Sequence, residues 1–144
     1  MQQAAVLIVE HEALIRMESA EMVQDAGFAA VEADDADAAI RVLEHQREIL
    51  VVFTDISMPG SVAGLRLAHT IHARWPSIHL LLTSGQNVQN DWKLPENARF
   101  IAKPYSPDQI IPALCEVLSA DPRQIGGVSG LYRSWRNATA AIAC

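Results

Sequence analysis

Short apolar runs alternate with longer segments of helical spacing over the first 120 residues, and this alternation constrains the fold more than any other feature. The runs are four to six residues long, and they lack the polar alternation of strands that face water on one side. They predict five strands, at Ala5–Val9, Ala29–Glu32, Leu50–Thr54, Ile78–Thr83 and Arg99–Ala102. Strands that alternate with helices indicate a parallel sheet with helices on both faces.

Four other segments place apolar residues three or four positions apart, as one face of a helix does. They predict helices over Ala13–Ala26, Ala36–Gln46, Gly64–Arg74 and a last segment that follows Ser106. That last helix has an N-cap serine, Pro107 at its first position and Gln109 as a capping-box partner. Pro112 lies inside it and should remove a backbone hydrogen bond and kink the first turns. The segment Gln86–Asn97 is polar and aperiodic, so the fourth helix in the order is predicted to be short or irregular.

Right-handed crossovers between such strands give a three-layer, doubly wound α/β sandwich, and five strands suit the order 2-1-3-4-5. Residues 1–120 are therefore predicted to form one domain. Residues 121–144 hold three Arg and one Asp, a net charge of +2, so residues 1–120 carry −8 of the total of −6. Four apolar residues of this tail fall at helical spacing: Leu131, Trp135, Ala138 and Ile142. The tail is predicted to be either mobile or a short docking or dimerisation helix.

Composition and charge exclude several classes of function. A chain of net charge −6 lacks the basic excess that direct binding of nucleic acid requires. No apolar run approaches the roughly 18 residues of a membrane span, and no basic segment of a secretory signal precedes Val6–Val9. We therefore expect a cytoplasmic protein without membrane contact. The two cysteines, Cys115 and Cys144, do not indicate a disulfide framework.

Polar residues follow the predicted strands at the edge where an open α/β sheet binds its ligands. They are Glu10-His11-Glu12 after strand 1, Asp55 after strand 3, Thr83-Ser84-Gly85 at strand 4 and Lys103-Pro104 after strand 5. A carboxylate can act as a nucleophile toward a phosphoryl group, while neighbouring acids hold a divalent cation. A hydroxyl and an ammonium can bind the phosphoryl oxygens. The set therefore favours phosphoryl transfer onto a carboxylate.

Together these motifs resemble the receiver domain of two-component response regulators, over about residues 4–120. The segment Thr54-Asp55-Ile56-Ser57-Met58-Pro59-Gly60 is similar to the phosphoacceptor segment of that family, with Asp55 as the acceptor. The resemblance implies a flavodoxin-like fold of receiver type. It also implies that Ser84 is the switch hydroxyl, Phe100 the switch aromatic residue and Lys103 the invariant family lysine. The peptide bond between Lys103 and Pro104 is expected to be cis.

The resemblance further implies a Mg²⁺ site, formed by two acids after strand 1, by Asp55 and by the backbone carbonyl of Ser57. In this sequence the two acid positions hold Glu10 and His11. Glu10 keeps the charge on a longer side chain, but neutral imidazole suits transition metals better than Mg²⁺. We therefore expect Mg²⁺ to bind weakly, with Mn²⁺ as an alternative ion.

The function that the resemblance implies is that of a stand-alone receiver in a phosphorelay. It would take a phosphoryl group from a histidine kinase or histidine phosphotransfer protein onto Asp55, and signal by a conformational switch through protein contacts. No enzyme function is expected beyond self-phosphorylation and self-dephosphorylation. One alternative is a pseudo-receiver, an interaction module that signals without phosphate because His11 weakens the metal site. A less favoured alternative is a small flavodoxin-like enzyme or cofactor binder. The downstream target and the existence of a homodimer stay open.

Overall fold

The computed structural model describes residues 5–56, 63–85 and 93–119. In chain order the described elements are β1 (Ala5–Val9), α1 (Ala13–Asp25), β2 (Ala29–Ala33), α2 (Ala36–His45), β3 (Ile49–Asp55), α3 (Ala63–Arg74), β4 (His79–Ser84), β5 (Ala98–Ala102) and α4 (Pro107–Ser119). The predictions for the tail and for Cys144 fall outside the described residues. Within those residues, no helix has the length and apolar character that crossing a membrane requires.

The strands form one parallel sheet in the order β2-β1-β3-β4-β5, which confirms the predicted fold class and strand order. Strand β3 is central, and all of its residues are buried. Strand β5 lies at one edge and is partly exposed. Since β1, β3 and β4 are neighbours, the residues at their carboxyl ends lie side by side.

Helices cover both faces of the sheet, because successive residues of a strand point to opposite sides. Val6 and Ile8 of β1 belong to the hydrophobic core under α1 and α4. Leu7 and Val9, the alternate residues of the same strand, belong to the core under α2 and α3. Each fully buried side chain of this kind stabilises the fold by about 1.5–3 kcal/mol, so the two cores fix the position of the sheet edge that carries the polar residues.

The predicted ends of the strands and helices differ from the observed ends by at most one residue, and β1 is predicted at both ends without error. Helix α1 is followed by Gly27 with a φ of 96°, in the left-handed region that glycine adopts without strain. Before α4, the backbone N–H of Ser106 donates a hydrogen bond to the side-chain oxygen of Gln109, at 3.0 Å. This contact is one half of the predicted capping box. Pro112 lies inside α4, as predicted.

The helix predicted between β4 and β5 falls mostly outside the described residues. Residues 93–97, at the end of that segment, form irregular backbone and a turn rather than helix. Asn97 closes this segment against the sheet, because its side-chain amide donates a 2.8 Å hydrogen bond to the backbone carbonyl of Ile78. The prediction of a short or irregular helix is therefore tested only at residues 93–97, where no helix forms.

Candidate functional site

Four polar side chains from four strands lie at the carboxyl edge of the sheet. Asp55 is the last residue of β3, and Ser84 is the last residue of β4. Glu10 directly follows β1, and Lys103 directly follows β5. The parallel order places β1 and β4 on either side of β3, so the sheet brings these sequence-predicted residues into one cleft.

Lys103 is paired with both acids. Its ammonium Nζ lies 2.6 Å from Asp55 Oδ2 and 3.4 Å from Glu10 Oε2. The two carboxylate side chains are buried, whereas the Lys103 side chain keeps 19% of its exposure. A charged group in such a position is tolerated only when it is paired, so the ammonium stabilises two carboxylates that would otherwise repel each other.

The pKa values of the site follow from this arrangement. Burial raises the pKa of Glu10, and the nearby Asp55 carboxylate raises it further, against the lowering effects of the Glu12 N–H and of Lys103. Burial alone would lower the pKa of Lys103, but the hydrogen bond to Asp55 and the two negative charges raise it above its ordinary value. Lys103 is therefore a permanent cation at neutral pH.

Glu10 is held at both carboxylate oxygens and at its backbone. Its Oε1 accepts a 3.2 Å hydrogen bond from the backbone N–H of Glu12, and its Oε2 faces Lys103. Arg16 of α1 donates to the backbone carbonyl of Glu10 at 3.0 Å, and the same guanidinium pairs with Glu32 of β2. These contacts fix the longer side chain in place although it has one more rotatable bond than aspartate.

Backbone hydrogen bonds set the spacing between the strand ends. The N–H of Lys103 donates to the carbonyl of Ser84 at 3.0 Å, and the N–H of Ile56 donates to the carbonyl of Thr83 at 2.8 Å. A Cβ added at Gly85 would lie 3.8 Å from the Lys103 side chain, its nearest neighbour in the described part of the chain, which is an ordinary van der Waals distance. The peptide bond between Lys103 and Pro104 is cis.

Tyr105 is a site neighbour that the sequence analysis did not single out. Its hydroxyl is 2.8 Å from the hydroxyl of Ser19 on α1, and its ring contacts Phe53 edge-on with 5.3 Å between the ring centres. Tyr105 therefore ties the segment that carries Lys103 to α1. The sequence does show an aromatic residue directly after Lys103-Pro104. It does not show that the partner of this residue is Ser19, which lies 86 positions earlier in the chain.

Phe100 lies on the edge strand β5 and is 36% exposed, so its ring faces away from the two cores. Ser84 is buried, and it ends β4 next to the end of β3 that carries Asp55. The hydroxyls of Thr54 and Thr83, which precede Asp55 and Ser84 in their strands, are buried without a hydrogen-bond partner among the described residues. Buried hydroxyls without a partner carry a free-energy cost, which the packing around the two strands must offset.

The residues predicted to hold a metal ion are only partly brought together. Glu10 and Asp55 share the cleft, but His11 is exposed and Ser57 lies outside the described residues. The described part of the chain contains no cluster of three or more histidine, cysteine, aspartate or glutamate side chains suited to a metal ion. Mg²⁺ in proteins is often held by one or two carboxylates and keeps several waters. The buried pair of Glu10 and Asp55 fits such a site, with fewer negative charges than a three-acid site.

Comparison with known proteins agrees with this geometry. The sequence profile of the response regulator receiver domain matches residues 6–115. A transcriptional regulatory protein of Mycobacterium tuberculosis, PdtaR, is 35% identical over 132 residues, which are 87% of this chain and 61% of PdtaR. The nitrogen assimilation regulatory protein NtrX of Azorhizobium caulinodans is 31% identical over 110 residues, 74% of this chain and 24% of NtrX. This chain thus spans less than two thirds of the length of either relative.

Solved structures share the fold. A response regulator receiver protein from Sinorhizobium medicae superposes with a TM-score of 0.74 at 23% identity, over 83% of this chain and 98% of that one. The chemotaxis protein CheY4 of Vibrio cholerae superposes with a TM-score of 0.72 at 21% identity, over 81% of this chain and all of that one. The match over residues 6–115, the parallel sheet and the acidic cleft lead to one assignment. This chain belongs to the response regulator receiver domain family.

Proposed function

We propose that this receiver takes a phosphoryl group onto Asp55 from a phosphorylated histidine of a kinase or phosphotransfer protein. The observation that carries the proposal is the 2.6 Å contact between the Lys103 ammonium and the buried Asp55 carboxylate. A carboxylate held by a fixed cation at the mouth of the cleft is a positioned nucleophile, and the same cation can bind the incoming phosphoryl oxygens. The family assignment supports this role, since receivers are signalling modules rather than enzymes in the usual sense.

The proposed reaction is a displacement at phosphorus. A carboxylate oxygen of Asp55 forms a bond to phosphorus while the bond between phosphorus and the donor's ring nitrogen breaks. That nitrogen keeps the bonding electron pair, and the donor leaves as neutral imidazole with its proton on the second ring nitrogen. Lys103 shifts its hydrogen bonds from the carboxylate toward the phosphoryl oxygens. Mg²⁺, which Glu10 and Asp55 would hold, supplies further neutralisation of those oxygens when it is bound.

The proposed output is a switch at the β4 and β5 ends. A phosphoryl group adds a charge of about −1.5 to −2 and three acceptor oxygens to a cleft that already contains two carboxylates. Ser84 is the buried last residue of β4, which pairs with β3, and we expect its hydroxyl to donate to one of those oxygens. Phe100, now partly exposed on β5, would follow inward and change the surface that a protein target recognises. Cytoplasmic location and output through protein contacts are part of this proposal.

A second candidate, the pseudo-receiver, has one observation in its favour. His11 is exposed, so its imidazole adds no charge to the cleft, and Lys103 already neutralises part of the charge of Glu10 and Asp55. A site of two carboxylates and one ammonium holds Mg²⁺ less tightly than one with a third acid. In that case the same fold would act as a binding module without phosphate.

The experiment that separates the two candidates is the intact mass of the protein after incubation with a small-molecule acyl phosphate. We expect the wild type to gain one phosphoryl group, in an amount that rises with Mg²⁺ or Mn²⁺. The Asp55→Asn variant serves as the control and should gain none, because its amide is not a nucleophile of comparable strength. No gain in the wild type, either from the acyl phosphate at any metal concentration or from phosphohistidine donor proteins, would leave the pseudo-receiver as the function.

A further inference from the structure

Arg16 lies in the first turn of α1, where a positive charge is unfavourable for the helix itself. Helix α1 begins at Ala13, and the backbone N–H of Arg16 donates to the carbonyl of Glu12 at 2.9 Å. The amino end of a helix carries a partial positive charge that favours acidic side chains, yet the first turn of α1 contains none. The stability of the helix does not account for an arginine at this position, so its contacts with other elements deserve the explanation.

The side chain of Arg16 is more enclosed than those of Arg74 and Arg99, two other arginines that form ion pairs. It keeps 20% of its exposure, against 46% for Arg74 and 48% for Arg99. Its Nη1 donates to the backbone carbonyl of Glu10 at 3.0 Å, and its Nε donates to Oε1 of Glu32 at 3.2 Å. A planar guanidinium holds two acceptors in a fixed geometry, which a lysine ammonium does not. Arg16 therefore joins α1, the end of β1 and strand β2.

The carbonyl that Arg16 binds belongs to the peptide group between Glu10 and His11. On its amino side, Glu10 is held to β2, because its N–H donates to the carbonyl of Ala33 at 3.1 Å. On its carboxyl side, the hydrogen bond from Arg16 holds the next peptide group. A peptide group is planar, so any rotation of it turns both residues that it joins. Arg16 thus sets the direction in which the chain leaves β1 toward His11.

The orientation of this peptide group also affects the carboxylate of Glu10. The Oε1 atom accepts a hydrogen bond from the N–H of Glu12 at 3.2 Å, and Oε2 lies 3.4 Å from Lys103 Nζ. The Glu12 N–H is one residue beyond the peptide that Arg16 holds, so a rotation of that peptide would move this donor away from Oε1. The contact with Lys103 is already long for a hydrogen bond, so it tolerates little further displacement.

We propose that Arg16 is a positioning residue for the Asp55 cleft, which keeps Glu10 in place for a divalent cation without touching the cation or the phosphoryl group. This inference rests on the proposed function, because it treats Glu10 as a ligand of Mg²⁺. Groups that orient metal ligands through hydrogen bonds typically contribute about 10- to 100-fold in metal affinity. Glu32 supports the same arrangement, since it orients the guanidinium and balances its charge.

The sign of the effect separates positioning from simple electrostatics. A positive charge near a cation site weakens cation binding, so its removal would by itself strengthen the binding of Mg²⁺. We expect the opposite for Arg16→Met, whose unbranched side chain has no donor: the Mg²⁺ affinity should fall about tenfold. Arg16→Lys keeps the charge but not the fork of donors, so its affinity should lie between those of Arg16→Met and the wild type.

Amide NMR spectra of the full chain during a Mg²⁺ titration measure these affinities. Without metal, Arg16→Met should already shift the amide signals of His11 and Glu12, because their peptide groups lose the hold on the Glu10 carbonyl. Arg74→Met is the matched control, since it removes an arginine ion pair of similar length, 3.0 Å to Glu44. Arg74 is the last residue of α3, at the opposite edge of the sheet from the cleft, so this control should bind Mg²⁺ like the wild type.

Unchanged or tighter Mg²⁺ binding in Arg16→Met overturns the inference. Circular dichroism shows whether that variant is folded. If it is not, Arg16→Lys takes its place, and wild-type affinity in Arg16→Lys overturns the inference instead. A wild type that binds no Mg²⁺ contradicts both this inference and the metal site of the proposed function. A wild type that binds Mg²⁺ and gains a phosphoryl group, with unchanged affinity in the Arg16 variants, contradicts this inference alone.

Discussion

Glu10 has the same charge as an aspartate at this position would have, but its longer side chain changes the geometry of the site. Its carboxylate is divided between two partners, the N–H of Glu12 on one oxygen and the ammonium of Lys103 on the other. The longer side chain reaches Lys103 without losing the backbone contact at the start of α1. The result is a cleft in which the permanent cation is positioned by two acids from different strands.

His11 is the residue at which a single substitution should change metal binding most. We expect His11→Asp to tighten Mg²⁺ binding about tenfold or more, because a carboxylate near a divalent cation contributes about 2 kcal/mol even at high dielectric. Isothermal titration with Mg²⁺ measures the change directly. His11→Asn removes the imidazole without adding charge, so it serves as the control and should bind like the wild type. Equal affinity in His11→Asp and His11→Asn would show that this position does not face the ion.

At the scale of elements, helix α3 begins against the end of β3 with almost no space between them. A Cβ added at Gly64 would lie 2.6 Å from the backbone carbonyl oxygen of Asp55 and 2.6 Å from the Cα of Ile56. These are backbone atoms that cannot turn away. The start of α3 therefore packs directly on the end of β3, and this contact fixes the position of the Asp55 backbone.

We expect Gly64→Ala to lower the free energy of unfolding by about 1–3 kcal/mol, the usual cost of overpacking a tight contact. Urea denaturation followed by circular dichroism gives this value. Gly85→Ala is the matched control, because among the described residues its new methyl group would meet only the Lys103 side chain, at 3.8 Å. Similar losses in the two variants would contradict the close approach of α3 to β3.

The link between α1 and the β5–α4 connection depends on Tyr105. Burial raises the pKa of its phenol, so the folded state favours the neutral form and loses stability as the pH rises above the ordinary value for tyrosine. The Tyr105→Phe variant has no phenol at position 105 to ionise, so it does not lose stability in this way at high pH. It also lacks the hydrogen bond to Ser19, which contributes about 1 kcal/mol to stability. We expect the variant to be less stable at neutral pH, with the difference shrinking in alkaline solution.

Thermal unfolding over a pH series checks this expectation, with phenolate absorbance reporting ionisation. The chain has two tyrosines, and Tyr132→Phe leaves Tyr105 in place as the comparison. A stability difference between Tyr105→Phe and the wild type that stays constant with pH would mean that the phenol ionises equally in both states.

Over the whole molecule, the strands differ in how far they are buried. All residues of β3 are buried, whereas β5 is an edge strand with partly exposed residues. We expect amide hydrogen exchange to be slowest in β1 and β3 and clearly faster in β5, because local opening costs least where few buried contacts are lost. Exchange measured by mass spectrometry of peptides tests this order. Protection of β5 equal to that of β3 would remove the physical basis for placing a switch at Phe100.

The sequence predicts the elements and the order of the strands well, because both depend on local periodicity and on general rules for parallel sheets. The strand ends then place Glu10, Asp55, Ser84 and Lys103 at one edge without further information. What the sequence does not reveal are contacts between distant segments. The hydrogen bond of Tyr105 to Ser19 and the approach of Gly64 to Asp55 depend on tertiary packing, which no periodic pattern encodes. The pairing of Lys103 with Glu10 and Asp55 also depends on tertiary packing, so the sequence does not reveal it.

The pairing of Lys103 with Glu10 and Asp55 joins residues that are 93 and 48 positions apart in the chain. Because Lys103 follows β5, the last strand in the described part of the chain, a ribosome must complete all five strands before the cleft can form. An unfinished or misfolded copy has an aspartate at position 55 but no cation beside it. If Asp55 is the phosphoacceptor, as proposed above, we expect such a copy to be phosphorylated poorly, because its Asp55 lacks the neighbouring ammonium.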